Sequence, residues 1–445
     1  RAKLALMTQS AKWSAVTLVV LATSTAWLMS LPLLTPAHED TARNLLMARD
    51  CLDSVSCVLA GPMSSFSGFL QGAVSILGLS LILATIPGHA VAALTGCFAL
   101  ATALIFVATW RSFTLQTAIL TAALWLVSGV AAAMFPVLDV PLFLPLGAAI
   151  TLVGALRMTP PSSSISARLI FTLGIAITVN THLAGLLFIP GALTLLVLRA
   201  QRPWLEGAIF VGLLTAIPTL LSADALLYNV RVAPPLVLWV TLPGAALWIG
   251  LSLAIKARLK ITSPLKLVVW LALCHLTLMV ALSLALDVAL SWRLSAAALP
   301  FISIALADLF RRLTRHTLVT LAIAFSLLFT FHTHAEELLD AQLSPVDIHT
   351  WSLDDVETAA DALRHEGLDH LDRLAHLQGP RMPVLLPALA AYDTTRSCKL
   401  NTEQPDWLLV RTTEERLPAL LGENVRLIST DDGGILVLRP IHSWL

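Results

Sequence analysis

Apolar residues fill the first 332 positions in long blocks broken by short polar stretches. A block of about 20 apolar residues crosses the roughly 30 Å hydrocarbon layer as a helix. The blocks predict spans at 12–34, 90–110, 114–134, 141–157, 168–180, 183–199, 204–222, 235–256, 267–289, 294–311 and 316–332. The block 66–86, FSGFLQGAVSILGLSLILATI, is also apolar enough to cross. After residue 332 the pattern changes. Residues 351–377 have helical spacing, and short apolar runs at 383–389, 406–412, 425–430 and 434–440 read as strands, with a helix at 414–422. The expected fold is an all-α polytopic membrane body with about eleven transmembrane helices plus juxtamembrane helices over 1–332. A small soluble α/β domain is expected over 333–445.

Charge sharpens this division. The chain is 57% apolar and 13% charged, against about 25% charged in a soluble domain. Of 28 acidic side chains, 19 lie in residues 333–445 with only 9 of the 28 bases, so the membrane body carries 19 bases and 9 acids. The net charge of zero is a cancellation between the two parts.

The same bases decide what block 66–86 does. If it lies along the outer surface, fifteen bases fall on the cytoplasmic side, and Arg43, Arg49, Arg231 and Arg293 remain outside. If it crosses and nothing else changes, every later loop flips and the count becomes five inside and fourteen outside. The positive-inside rule favours the first arrangement. A second arrangement lets 66–86 cross and merges 168–199 into one kinked span. In the favoured arrangement the amino terminus is inside, the acidic tail is outside, and residues 35–89 form the first outer loop.

That loop opens with PAHEDTARNLLMARDC, residues 36–51. Thr35 can cap a helix that Pro36 starts, and Glu39 and Asp40 then occupy the first turn, where the helix dipole favours anions. Arg43 is within i+3 and i+4 reach of both acids, so a capped surface helix with an ion pair accounts for the pattern locally. Leu45, Leu46 and Leu52 supply an apolar side that can rest on the bilayer. Arginine in an outer loop with few acidic neighbours also suits a lipid phosphate, which it binds bidentately. Cys51 and Cys57 flank a polar turn. They form a disulfide if the loop faces an oxidising compartment and are free thiols otherwise. Cys97 and Cys274 fall inside apolar runs.

The acid after the first span, followed by ARDC…C.L.GP.SSF.GF.QGA, resembles bacterial integral-membrane glycosyltransferases of the GT-C superfamily. It is similar to the protein mannosyltransferase and aminoarabinose transferase group, which takes sugars from polyprenyl phosphates. The order of elements matches over nearly the whole chain. The resemblance implies a polytopic bacterial inner-membrane enzyme, with its carboxy-terminal domain outside, whose first outer loop carries a catalytic Asp. Aligning LLMARDC places Asp40 at that Asp. Thr41 stands where the family commonly has Glu, and Glu39 comes one residue early, so the base is Asp40 or Glu39.

The resemblance also gives later positions a role. Asp139 in PVLDVP would help position the acceptor; otherwise it is a solvated loop acid. His182 in VNTHLAG would contact a phosphate or sugar, or be a satisfied interfacial histidine. Arg231 in YNVRVAPP and Arg293 in LSWRLSAAALP would hold the donor phosphate with Arg43 and Arg49, although Arg293 can also be an interfacial arginine that snorkels or pairs with Asp287. The implied reaction moves a sugar from a polyprenyl-phosphate donor to an acceptor hydroxyl on a lipid, glycan or protein, with inversion. No cofactor, metal or nucleic acid is expected. Rival classes are a lipid-linked substrate transporter or flippase, which would show repeats and midplane charges, and a non-catalytic membrane anchor for a sensing domain.

Overall fold

The computed structural model describes residues 2–30, 48, 51–52, 74–86, 90–129, 143–158, 164–199, 205, 208–209, 212, 263–286, 297–314, 316–342, 374–376, 407–412, 426–429 and 435–440. The helices are α1 (Ala2–Met29), α2 (Val74–Thr85), α3 (Ala90–Ser112), α4 (Leu115–Gly129), α5 (Leu144–Arg157), α6 (Ile165–Thr181), α7 (Ile189–Arg199), α8 (Pro264–Leu286), α9 (Leu299–Thr314) and α10 (Thr317–Gln342), with a 3-10 helix at Leu183–Phe188 between α6 and α7. By length and hydropathy, Thr95–Ser112 and Thr317–His334 are each sufficient to cross a membrane, and α2, α4, α5 and α6 are shorter apolar helices. The predicted spans 204–222 and 235–256 lie almost wholly outside the described residues.

Each helix satisfies its own backbone, as hydrocarbon demands. Hydroxyls follow the same rule by donating to carbonyls one turn back: Thr102 to Phe98, Thr121 to Thr117, Thr151 to Gly147 and Thr178 to Gly174. Ser164 caps α6 by accepting from the Ala167 N–H at 3.2 Å. Arg157 ends α5, and Arg311 and Arg312 end α9, where the helix dipole favours cations.

Five contacts fix the direction of the helices. Trp13 of α1 meets Trp110 of α3, with ring centroids 5.2 Å apart. Gln116 at the start of α4 donates to Thr317 at the start of α10 at 2.7 Å. Higher up, Phe98 of α3 stacks on Trp125 of α4 at 5.3 Å. At the same level Trp27 of α1 faces Phe331 of α10, and His332 Nε2 lies 3.0 Å from the Ser30 carbonyl oxygen. One end of the bundle therefore gathers Trp13, Arg111, Gln116 and Thr317; the opposite end gathers Ser30, Phe98, Gly129 and His332. Arg157 and Arg168 join the first group through the α5–α6 hairpin, and Arg311 and Arg312 join it just before α10. We call this the basic end and the other the exit end.

α1 rises to the exit end and α3 starts there and descends. The chain between them begins and ends on one side, as a surface position for block 66–86 requires. Its described part agrees. In α2, Ser75 Oγ lies 3.4 Å from the Thr181 carbonyl oxygen, and the Phe143 ring lies against Gly78. Both partners are exit-end residues of α6 and α5. Within 168–199 the chain leaves the α6 axis after Thr181, and the 3-10 helix brings Gly185 against the Thr178 backbone.

The tightest packing is between α5 and α6. A Cβ built on Gly154 would collide with the Phe171 backbone nitrogen, and one on Gly174 with that of Thr151. A Cβ on Gly147 would meet the Thr178 hydroxyl at 2.6 Å and its backbone nitrogen at 3.0 Å. Within a bilayer, where lipid is as apolar as leucine, such close backbone approach drives helix association. The core around this hairpin includes Leu152, Phe171, Ile175 and, from α7 to α9, Leu195, Leu271 and Phe301, all fully buried.

In the tail, β1 (Leu374–His376), β2 (Trp407–Thr412), β3 (Arg426–Ser429) and β4 (Ile435–Pro440) form one sheet in the order β1-β2-β4-β3. β1 is parallel to β2, and the other pairs are antiparallel. β2, β3 and β4 coincide with three predicted strands. The expected helix 351–377 needs correction at its end: Leu374–His376 is a strand, because pairing with Trp407–Leu409 overrides a weak local helical pattern. The runs 383–389 and 414–422 lie outside the described residues.

The α5–α6 contact makes a sharp expectation. Gly154→Leu should lower stability by about 1–3 kcal/mol through overpacking. Gly96, where an added Cβ meets nothing within 4 Å, is the control: Gly96→Ala should be neutral or slightly stabilising in thermal unfolding of the detergent-solubilised protein.

Candidate active site at the exit end

α2 is the element that organises this end. Its run VSILGLSLILAT buries Ser75, Ile76, Leu79, Ser80 and Leu83, a stripe of helical period, while Leu81 is 65% exposed. A helix that is half buried and apolar on its open side suits the membrane boundary. Two polar groups interrupt the buried stripe, and each reaches a different part of the predicted site.

Ser80 Oγ donates toward the Ala48 carbonyl oxygen at 2.8 Å and lies equally close to its own Ile76 carbonyl. Ala48 is fully buried and belongs to LLMARDC, one residue before Arg49. Three residues beyond Ala48, Cys51 is disulfide-bonded. Among the described residues Cys97 and Cys274 are free thiols, so the partner of Cys51 lies outside them.

Five residues back along α2, Ser75 Oγ faces the Thr181 carbonyl, one residue before His182. The VNTH turn is tightly built. Asn180 Nδ2 donates to the Ala176 carbonyl at 2.8 Å, Thr181 Oγ1 to Ile177 at 2.8 Å, and the His182 N–H to Thr178 at 3.2 Å. Gly185 N–H donates to the His182 carbonyl at 2.9 Å and starts the 3-10 turn. Only a residue without a side chain fits at 185, since a Cβ there would sit 2.6 Å from the Thr178 carbonyl carbon. His182 keeps some accessible surface, yet protein crowds its ring, and that burial pushes the imidazole down to about 4. At neutral pH it is an uncharged hydrogen-bonding group.

The described contacts to α2 are thus made by Thr181, the residue before His182, and by Ala48. Glu39, Asp40, Arg43, Arg49, Asp139, Arg231, Arg293 and Cys57 lie outside the described residues. Ser75 and Ser80 were not singled out by the sequence. Their signal was faint: two hydroxyls on the same helical stripe as Ile76, Leu79 and Leu83, inside a block whose location was itself in question.

Two intramembrane ionisable groups belong elsewhere. Asp308, 4% exposed, pairs with Arg312 at 2.8 Å and Arg311 at 3.1 Å at the basic end. His275 is fully buried beside Phe188, ring centroids 4.6 Å apart, where the 3-10 helix meets α8.

A helical bundle with a short apolar helix, α2, seated on the exit-end termini of α5 and α6 has a likeness among solved membrane-protein folds. In particular, the chain is similar to ArnT from Cupriavidus metallidurans, an aminoarabinose transferase, in its apo crystal structure. The TM-score is 0.51 at 15% identity, covering 98% of each chain. Against the crystal structure of the same protein bound to undecaprenyl phosphate the TM-score is 0.46 at 16% identity, covering 97% of this chain and 98% of that one. Compared by sequence, the chain matches no family model and no curated relative.

Two expectations follow from this geometry. Ser80→Ala removes the donor to a buried carbonyl, a loss of about 0.5–1.5 kcal/mol. Amide exchange around residues 48–52 should then rise roughly threefold to tenfold, with little change in α5. For His182, the folded state resists protonation and the unfolded chain titrates near 6.5. The unfolded state therefore takes up the extra proton as pH falls from about 6.5 to about 4. Across that window the melting temperature of the wild type should drop relative to His182→Gln, and the two should run parallel above pH 7.

Proposed function

We propose that the chain transfers a sugar from a polyprenyl-phosphate donor to an acceptor hydroxyl at the outer face of a bacterial inner membrane. The observation that carries this reading is the fold likeness to ArnT over 98% of both chains, joined to the contact of Ala48, within LLMARDC, with Ser80 of α2. The basic end is cytoplasmic by the positive-inside rule, which puts the exit end and the tail outside. Cys51 then lies in an oxidising compartment, and Cys57, six residues on, is its proposed partner. The tail is proposed as an α/β domain built on the four-stranded sheet.

The chemistry needs three things at this boundary. The donor enters sideways from the bilayer, and its phosphate is held by Arg43, Arg49, Arg231 and Arg293, whose planar guanidinium groups match a phosphate bidentately. The acceptor hydroxyl is placed by Asp139 and by neutral His182, which can donate or accept without adding charge. Asp40 accepts the hydroxyl proton as the oxygen attacks the anomeric carbon. The bond from that carbon to the phosphate oxygen breaks, and its electron pair leaves on the phosphate. One displacement inverts the anomeric carbon. Glu39 is the alternative base.

Each step draws on a known magnitude. General-base assistance contributes about 10²–10⁴-fold, and positive groups beside the departing phosphate supply the electrostatic term that is usually largest. No charge-bearing cofactor is needed for either.

The test is a transfer assay in membranes with labelled polyprenyl-phosphate sugars. Asp40→Asn should lower kcat by about 10²–10⁴-fold with a small change in KM, and Glu39→Gln should fall by tenfold or less. Equal turnover in wild type and both variants removes the catalytic assignment. No turnover by the wild type with any such donor removes the reaction itself.

A further inference from the structure

The basic end holds cations that the exit-end chemistry does not use. Arg111 closes α3 and Arg157 closes α5, and both are exposed. Their charges act on each other, so two like charges are held together where α3 and α5 meet. Among the described residues neither has an acidic partner. The one described carboxylate at this end, Asp308, is already held by Arg311 and Arg312.

Aromatic packing fixes the pair further. The Arg111 guanidinium carbon lies 4.5 Å from the centroid of the Trp13 ring. Trp13 is edge-on to Trp110 at 5.2 Å, and Phe106 backs Trp110 at 5.9 Å. Stacking covers one face of the guanidinium and leaves the N–H donors around its rim free. A rim of in-plane donors beside a second arginine matches the non-bridging oxygens of a phosphodiester, each of which can accept from a different guanidinium. Trp13 and Trp110 sit at the level where amphipathic rings mark a membrane–water boundary.

We infer that Arg111, Arg157 and Trp13 form a binding site for the phosphate of an anionic phospholipid in the leaflet that faces the basic end. The lipid phosphate removes the repulsion between the two arginines and ties α1, α3 and α5 together at their ends. The site is at the opposite end of the bundle from the proposed active site. It stands whether or not the chain is a transferase.

Native mass spectrometry of the full chain, released from micelles containing defined lipids, tests this. The wild type should retain phosphatidylglycerol in preference to phosphatidylcholine. Arg111→Gln with Arg157→Gln should weaken that retention about tenfold. Lys266→Gln removes one exposed charge from the same end and should leave it unchanged. Arg111→Lys with Arg157→Lys preserves the charge that orients the helices but not the planar fork, and should weaken retention severalfold even if the glutamine pair fails to insert. Retention unaltered in the lysine pair overturns the site. So does a loss in Lys266→Gln as large as in the glutamine pair, which would mean diffuse charge. Displacement of phosphatidylglycerol by inorganic phosphate at equal concentration would reassign it to a free anion and equally overturn the lipid assignment.

Discussion

The backbone-to-backbone contact between α5 and α6 is the constraint on which the exit end depends. Gly154 against Phe171 and Gly174 against Thr151 leave no room for a Cβ. In a lipid setting this close approach supplies the dispersion energy that burial from water supplies in a soluble protein. It makes two helices into one slab whose exit-end termini are Phe143 and Thr181. α2 rests on both of these, through Gly78 and Ser75. Ser80, one turn and a half along α2, then holds Ala48 and with it the first-loop motif. A packing contact in the middle of the bundle thus sets the surface on which α2, and through it Ala48, rests.

The two ends solve different electrostatic problems. At the basic end a nearly buried Asp308 is paired twice, because removing either arginine would leave a charge in low dielectric. Arg111 and Arg157 are exposed instead, and their charges are screened by water and by what the membrane surface offers. At the exit end the polar side chains described on α2 and in the VNTH turn, apart from His182, are hydroxyls and an amide. Hydroxyls, the Asn180 amide and the His182 backbone N–H bond to backbone carbonyls, which shapes the turn without adding charge of its own.

Much of this architecture was legible beforehand. Long apolar blocks marked helices α3 to α10, and Arg111, Arg157, Arg168, Arg311 and Arg312 marked one end. For block 66–86 hydropathy and charge asymmetry pointed different ways, and its described part, α2, packs on the exit-end termini of α5 and α6. Three tail strands followed from short apolar runs ended by polar residues or proline. Leu374–His376 was misread because a three-residue strand has too short a pattern to compete with the helical spacing around it. Ser75 and Ser80 were passed over because a serine in an apolar helix reads as neutral until its acceptor is known.

What the sequence determined by itself is set by composition and period. Those are the membrane body, its polarity of charge, the acidic tail and the presence of a charged loop after the first span. These follow from solvation, which acts on each segment alone. What the tertiary structure decided is adjacency. It put α2 on the α5–α6 slab, folded Gly185 onto Thr178, and brought Arg111 beside Trp13 and Arg157. No local pattern encodes such contacts, because they depend on which surfaces meet once the helices have formed.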